Sequence, residues 1–293
     1  MNKTNKNLPY ILLLAPALIG YVIFAIVPIF LSFFYSLTDF DGISSSYSFI
    51  GLNNYKTAFQ DDRFFYSIKV TLLITVISCI VINVAALVLA MLLNSLRKLK
   101  GLFRLLVFYP QILSFVVVGF VWSYIYNYNT GVLNYVLQIM SLDSFMQDWL
   151  GDQQLVIFSI IFVIVWQSLG FYTVIYLAAL QTVPQDVVEA ATIDGASKLQ
   201  QFKAVIFPLL SPSFTINWIL CFISGLKTYD VVKVMTDGGP GFTTETIAFN
   251  IISQAFVSNK QGYASALAII LFLFVAAMSI VQVVYLRKRE VEA

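Results

Sequence analysis

The sequence predicts an all-α membrane protein: six transmembrane helices with a charged helical hairpin inserted between helices 4 and 5. Three observations lead there. Hydrophobic residues make up 59% of the chain, with 26 Phe and 16 Tyr, and the mean hydropathy is +0.85, which describes a chain solvated by lipid. Six apolar runs, at 10–37, 70–93, 105–126, 155–180, 205–226 and 264–286, match the ~20 residues a helix needs to cross a bilayer. Without water at that depth each run must satisfy its own backbone, which a helix does. Finally, Asp186, Glu189, Asp194, Lys198 and Lys203 crowd into one short stretch of a chain in which only 11% of residues are charged.

The first run starts too near the N-terminus and is too long for a cleavable signal, and no small-residue cleavage site follows it. A retained helix bent at Pro28 is expected. Orientation follows from the basic residues. With the N-terminus inside, Lys3, Lys6, Arg97, Lys98, Lys100, Arg104, Lys198, Lys203, Arg287, Lys288 and Arg289 face the cytoplasm, 11 of the 17 Lys and Arg. Lys56, Arg63, Lys69, Lys227, Lys233 and Lys260 lie outside. Basic residues near helix ends favour the cytoplasmic side, so the expected layout is a cytoplasmic N-terminus at 1–9, a membrane domain at 10–286 with its cytoplasmic loop at 182–204, and a cytoplasmic tail at 287–293. The net charge of +2 gives no case for nucleic acid binding. Cys79 and Cys221 fall inside membrane runs without metal-ligand spacing and read as core thiols.

Within the hairpin, Thr182 and Gln185 have the spacing of a capping box, and Pro184 suits a first helical turn. Gly195 permits the sharp turn that ends this helix. A second helical stretch then leads through Pro208 into the fifth run. Outside the membrane, Gly238, Gly239, Pro240 and Gly241 predict a tight turn.

Chemistry is constrained by what is missing. The chain has no phosphate-binding Gly-x-x-x-x-Gly-Lys-Ser/Thr loop, so it is not expected to hydrolyse nucleotide by itself. It has no His, and the centres of the six runs lack Asp, Glu, Lys and Arg, the groups that relay coupling protons. Sodium coupling through the carbonyls of broken helices stays open. No cluster of acid, base or metal-ligating groups suggests a membrane enzyme.

The segment 182–212 resembles the signature of the membrane permease subunits of binding-protein-dependent ATP-binding-cassette importers. That signature is Glu-Ala-Ala, three residues, Gly, nine residues and Ile-x-Leu-Pro. Here it reads Glu189, Ala190, Ala191, Gly195, then Val205, Phe207 and Pro208, with Val and Phe replacing Ile and Leu. The resemblance extends over nearly the whole chain to the sugar-type branch: Ile50-Gly51-Leu52 with Asn54-Tyr55, Gly131 with Asn134, Thr236 followed by Gly238-Gly239-Pro240, and FRLLVFYPQILS at the start of the third helix. Within the branch it is similar to the larger-subunit type of the maltose permeases.

The resemblance implies a non-catalytic subunit. It would form a translocation path for a sugar or oligosaccharide with a second, homologous permease, served by two ATPase subunits that bind ATP and Mg, and by an extracytoplasmic solute-binding protein. It implies that Glu189 and Asp194 shape the contact with an ATPase, that Ala190 and Ala191 allow close approach, that Gly195 sets the bend, and that Pro208 closes the motif. From the residues alone, Glu189 reads as an exposed acceptor beside an apolar face of Val187, Val188 and Ala191, whereas Asp194 reads equally as a cap for the second helix. A secondary transporter or channel acting without ATPase subunits is the alternative reading.

For a substrate path the runs offer only uncharged polar groups. Asn217, Cys221, Ser224 and Thr228 recur at steps of four, three and four, which puts them on one helical face with Gly225 beside it. Such a stripe suits helix packing as well as pore lining. The resemblance favours the second role and adds Gln111, Gly170 and Tyr172. Amides and hydroxyls match sugar hydroxyls, and aromatic rings match the apolar face of a pyranose.

Overall fold

The computed structural model describes residues 8–96 and 98–288. Lys3, Lys6, Arg97 and Arg289, used above for orientation, lie outside the described residues, as do most of the two terminal segments. Among the described residues every regular element is helical, and the one extended pairing is an isolated antiparallel bridge between Thr38 and Phe49. Five helical stretches are long and apolar enough to cross a membrane, or six if one sharply bent pair counts as a single span.

The first span joins α1 (Leu8–Tyr21) to α2 (Val27–Ser36) through a π-helical segment, Val22–Ile26. Pro28 offers no N–H, and its ring would collide with the carbonyl four residues back. The ladder widens just before it, with Val27 N–H donating to Val22 O five residues back, as π-bulges do. The same device recurs before Pro208.

Next come α3 (Asn53–Ala58) and α4 (Asp62–Ser95), then α5 (Lys100–Ile112) and α6 (Phe115–Ile125). The run at 105–126, expected as one helix, is broken: α5 and α6 are bent 94° to each other. Leu113 and Ser114 are extended, Ser114 accepts from Val117 N–H as the N-cap of α6, and Gln167 Nε2 donates to Leu113 O at 2.7 Å. The freed carbonyl at the break is thus paired, which makes a broken helix tolerable at membrane depth.

The rest of the chain forms α7 (Val132–Ile139), α8 (Val156–Leu180), α9 (Gln185–Ile193), α10 (Lys198–Gln201), a second π segment (Phe202–Ile206), α11 (Phe207–Leu226), α12 (Asp230–Met235), α13 (Ile247–Phe256) and α14 (Gln261–Arg287). The fourth to sixth runs are helical, but the fifth span starts at Lys198, seven residues before the apolar run.

The chain divides into two compact units. One comprises the residues up to Phe64 with Asn250–Leu273, the other Phe65–Phe249 with the residues from Phe274. In the larger unit, Ile74, Ile82 and Ala86 of α4, Ile160, Val163 and Leu177 of α8, and Leu210, Phe222 and Leu226 of α11 belong to one buried cluster. Glycine permits the close approaches. A Cβ on Gly170 would sit 2.2 Å from Val107 O of α5, and one on Gly225 would sit 2.7 Å from Thr75 Cγ2 of α4. Polar bonds link the same helices in other pairs: from α8 to α4, Tyr176 Oη donates to Asn83 Oδ1 at 2.7 Å, and from α11 to α8, Asn217 Nδ2 donates to Tyr172 O at 3.2 Å. Membrane helices associate in this way, by small residues and interhelical hydrogen bonds.

The loop motifs are staples and not plain connectors. In the smaller unit Asn54 Nδ2 donates to Ser36 O and Thr38 O, and Gly262 N–H donates to Phe40 O at 2.7 Å. In the larger unit Asn134 donates to Tyr128 O and Gln147 O while accepting from Trp149 Nε1.

Candidate functional site

The site has two parts in the larger unit, a hairpin and a cavity. The hairpin begins at α9, whose N-cap is Pro184 with no side-chain bond. The capping box expected from Thr182 and Gln185 does not form. Thr182 Oγ1 turns back to Ala179 O, because the residues 178–181 still end α8 and Thr182 caps nothing ahead of it. The capping box belongs instead to Ser197 and Gln200, at the start of α10. This also corrects the capping role weighed for Asp194, which sits at the C-cap of α9.

Gly195 follows with φ +80°, and a Cβ there would meet nothing within 4 Å. Its N–H donates to Thr192 O, and Ala196 N–H donates to Ala191 O. The pair is a Schellman closure, which needs a left-handed residue at this position. Gln201, almost fully buried, then ties the two arms: its Nε2 donates to Thr192 Oγ1 at 3.1 Å and to Ala196 O at 2.8 Å. Past it, Phe207 N–H donates to Phe202 O in the π segment ahead of half-buried Pro208.

Glu189, Ala190 and Asp194 are exposed and Ala191 is half-buried. The apolar face differs from the expected one. Val187 is exposed as anticipated, but Val188 and Ala191 turn inward, and the prominent apolar side chains are Ile193, 86% exposed, and Leu199, 62% exposed. Glu189 and Val188 line a groove of about 560 Å³ with Asn94 at the end of α4, Leu180, Gln181, Val183, Gln185 and Ile206. The hairpin therefore presents one carboxylate beside a concave surface and two apolar knobs, on a frame closed by Gln201.

The second part is a cavity of about 210 Å³ reached by α4, α8, α11 and α12. Of the residues proposed for a path, it brings together Tyr172, Cys221, Ser224, Gly225 and Thr228. Thr228 lies past the end of α11 and not on its helical face. It is held at the rim because Thr246 Oγ1 donates to its carbonyl at 2.6 Å. Thr246 follows the turn in which Gly238 and Gly241 take positive φ and Thr244 Oγ1 donates to Gly239 O.

Three of the expected residues do not line the cavity. Asn217 is fully buried, with Nδ2 donating to Tyr172 O and Oδ1 left without a partner. Gly170 packs against the backbone of α5. Gln111 is half-buried in the last turn of α5, with an unpaired Oε1. Sequence reasoning missed Ser78 and Ser168, which supply hydroxyls, Phe115, which supplies a ring, and the charged rim residues Lys227 and Asp230. Ser78 Oγ is buried without a partner, an unspent group facing the cavity. Among the described residues no group of three or more His, Cys, Asp or Glu could hold a metal ion. The cavity thus offers hydroxyls, an aromatic face and two charges at its mouth, the makings of a site for a neutral polar solute.

Comparison with known proteins agrees with this architecture. The chain is 34% identical over 289 residues to the probable ABC transporter permease protein YurN of Bacillus subtilis, covering 98% of each chain. It is also 34% identical over 287 residues to the multiple sugar-binding transport system permease protein MsmF of Streptococcus mutans, again covering 98% of each. A crystal structure of a bacterial ABC transporter involved in the import of the acidic polysaccharide alginate contains a chain of the same fold, with a TM-score of 0.84 at 20% identity over 97% of this chain and 96% of that one. The family model for the binding-protein-dependent transport system inner membrane component matches residues 82–291. The chain is a multi-pass membrane protein and belongs to the family of binding-protein-dependent transport system inner membrane components.

Proposed function

We propose that this permease subunit carries a sugar, an oligosaccharide or a sugar-related compound across the membrane, and that it draws its energy from separate ATPase subunits. The observation that carries the proposal is the closed hairpin, a rigid frame with Glu189, Ile193 and Leu199 on its surface, joined through α10 and the π segment to α11, which lines the cavity. A displacement of the hairpin is thereby transmitted along one continuous helix to Ser224 and Gly225. The relatives named above support the substrate class, and the hydroxyls and ring of the cavity match it.

In this reading ATP and Mg are bound by two partner ATPase subunits, since this chain has no phosphate-binding loop. A second, homologous permease completes the path, because the cavity in this chain alone is small for an oligosaccharide. A solute-binding protein delivers the substrate to the outer loops, and both termini and the hairpin face the cytoplasm. The test is reconstitution into proteoliposomes with the second permease, the ATPase subunits and the binding protein. Sugar uptake that requires ATP and all four components supports the reading, whereas uptake by this chain without ATPase subunits overturns it in favour of a secondary transporter or channel.

A further inference from the structure

Helix α7, on the connection from α6 to α8, has two unlike faces. One is used by the fold. Asn134 is buried, accepts from Trp149 Nε1 at 2.8 Å and donates to Tyr128 O and Gln147 O, and Leu133 and Leu137 are half-buried beside it. The other face carries Val132, Tyr135, Val136, Ile139 and, one residue past the helix, Met140. Steps of three, one, three and one make these a single stripe. All five are 43% to 66% exposed, so the chain by itself leaves this face bare.

The depth of α7 is fixed through Trp149. The carbonyl of Trp149 accepts from Ser159 Oγ, in the first turn of α8, at 2.8 Å, and its ring stacks on that of Tyr126, the C-cap of α6, with centroids 6.1 Å apart. Helix α8 is long and apolar enough to span a membrane, and α6 is half of the bent pair that counts as another span. Helix α7 is therefore level with the ends of two membrane segments, where hydrocarbon gives way to headgroups. The surrounding side chains agree. Tyr124, Tyr128 and Tyr135 are exposed and Trp149 is half-buried, the aromatic girdle that marks this boundary, and α8 begins with the exposed rings of Phe158 and Phe162.

Three features select the occupant. A protein that leaves the transporter between cycles would return this face to water, where surfaces rarely keep a contiguous apolar patch. A permanent helical partner in a membrane approaches over small residues such as Gly, Ala or Ser, and the stripe has none. No charged residue occurs from Leu105 to Leu142, and the next charges along the chain, Asp143, Asp148 and Asp152, are acidic, which disfavours anionic headgroups. We propose that α7 is an interfacial helix lying in the membrane surface, with Val132, Tyr135, Val136 and Ile139 sunk about 5–10 Å into the boundary between headgroups and acyl chains. Hydrocarbon contact holds it there, and lipid charge does not. In the orientation proposed above this is the outer leaflet. The membrane spans carry the inference, which is independent of the solute transported.

The test uses the full chain in lipid nanodiscs, alone and assembled with the second permease and ATPase subunits, with a nitroxide attached at Ile139→Cys. Cys79 and Cys221 are buried, and the unsubstituted chain treated in the same way supplies the background. Paramagnetic resonance compares collisions with oxygen, which concentrates in hydrocarbon, and with a nickel chelate, which stays in water. Oxygen is expected to be at least about threefold more effective than the chelate. The ratio should be the same in phosphatidylcholine and in its mixture with phosphatidylglycerol, and should not change when the solute-binding protein is added. Val132→Cys, at the other end of the stripe, decides the matter if the first variant does not assemble. A chelate more effective than oxygen overturns the proposal, because the face would then lie in water. Shielding from both reagents in the assembled complex also overturns it and assigns the face to the second permease, and shielding that appears only with the solute-binding protein assigns it to that protein. A preference for oxygen confined to the phosphatidylglycerol mixture overturns it in favour of headgroup charge. Failure of the importer reading shows separately, as absence of ATP-driven uptake.

Discussion

Gln201 reaches back across the Gly195 turn to Thr192: its Nε2 lies 3.1 Å from Thr192 Oγ1 and 2.8 Å from Ala196 O. One buried amide thereby locks the two arms of the hairpin into a single body. The coupling role proposed for this surface requires that it not yield at its own hinge, and this bond supplies stiffness there. Replacing Gln201 with Ala leaves the Thr192 hydroxyl and the Ala196 carbonyl without that donor, a loss of about 1–2 kcal/mol. Hydrogen exchange of 185–201 should rise about tenfold, with the amides of α8 unchanged.

Gly195 tests backbone conformation apart from packing. Its φ of +80° is unfavourable for a side chain, but a Cβ there meets open space. Gly195→Ala should therefore destabilise the hairpin by about 1 kcal/mol, and Gly195→Asn by less, because Asn tolerates the left-handed region. Equal loss of substrate-stimulated ATPase activity in both variants of the reconstituted complex would argue that contact with a partner, and not φ, dominates at this position.

Gly225 tests packing apart from backbone. An added Cβ would lie 2.7 Å from Thr75 Cγ2 and 2.8 Å from Thr75 Oγ1. Gly225→Ala should lower the thermal midpoint of the purified protein, by overpacking of about 1–3 kcal/mol. Thr75→Ala removes the two nearest atoms, so the double variant should recover part of that loss. A purely additive double mutant would show that the two residues are not coupled.

Ser224 lines the cavity while Gln111 does not. Ser224→Trp should reduce uptake at least tenfold while the subunits still copurify, and Gln111→Leu should reduce it less. The reverse order would move the path from α11 to the end of α5.

The hairpin was legible because its signals are local. Gly195 and Pro208 punctuate the backbone whatever surrounds them, and the spacing from Glu189 onward fixes their register. Its capping was misread because Thr182 and Ser197 are both hydroxyl residues three positions before a glutamine, and only the end of α8 decides which is free to cap. The break at Leu113 and Ser114 was hidden for the opposite reason. The run from 105 to 126 is mostly apolar, with Pro110 and Ser114 its local marks of a break, and the bond that stabilises the bend comes from Gln167, 54 residues away. The stripe on α11 was readable from its period as far as Ser224. Beyond Leu226 the helix ends, and Lys227 and Asp230 reach the rim through the approach of α12, which no local pattern encodes.

The most direct test of the account places Cys at Ile193, the most exposed apolar residue of the hairpin, and probes it by site-directed cross-linking in the complex reconstituted with its ATPase subunits. The account predicts an adduct between position 193 and an ATPase subunit whose yield changes when ATP is added. A cysteine at 193 that stays freely reactive with a water-soluble maleimide, with and without ATP and in a complex that still transports, would contradict it.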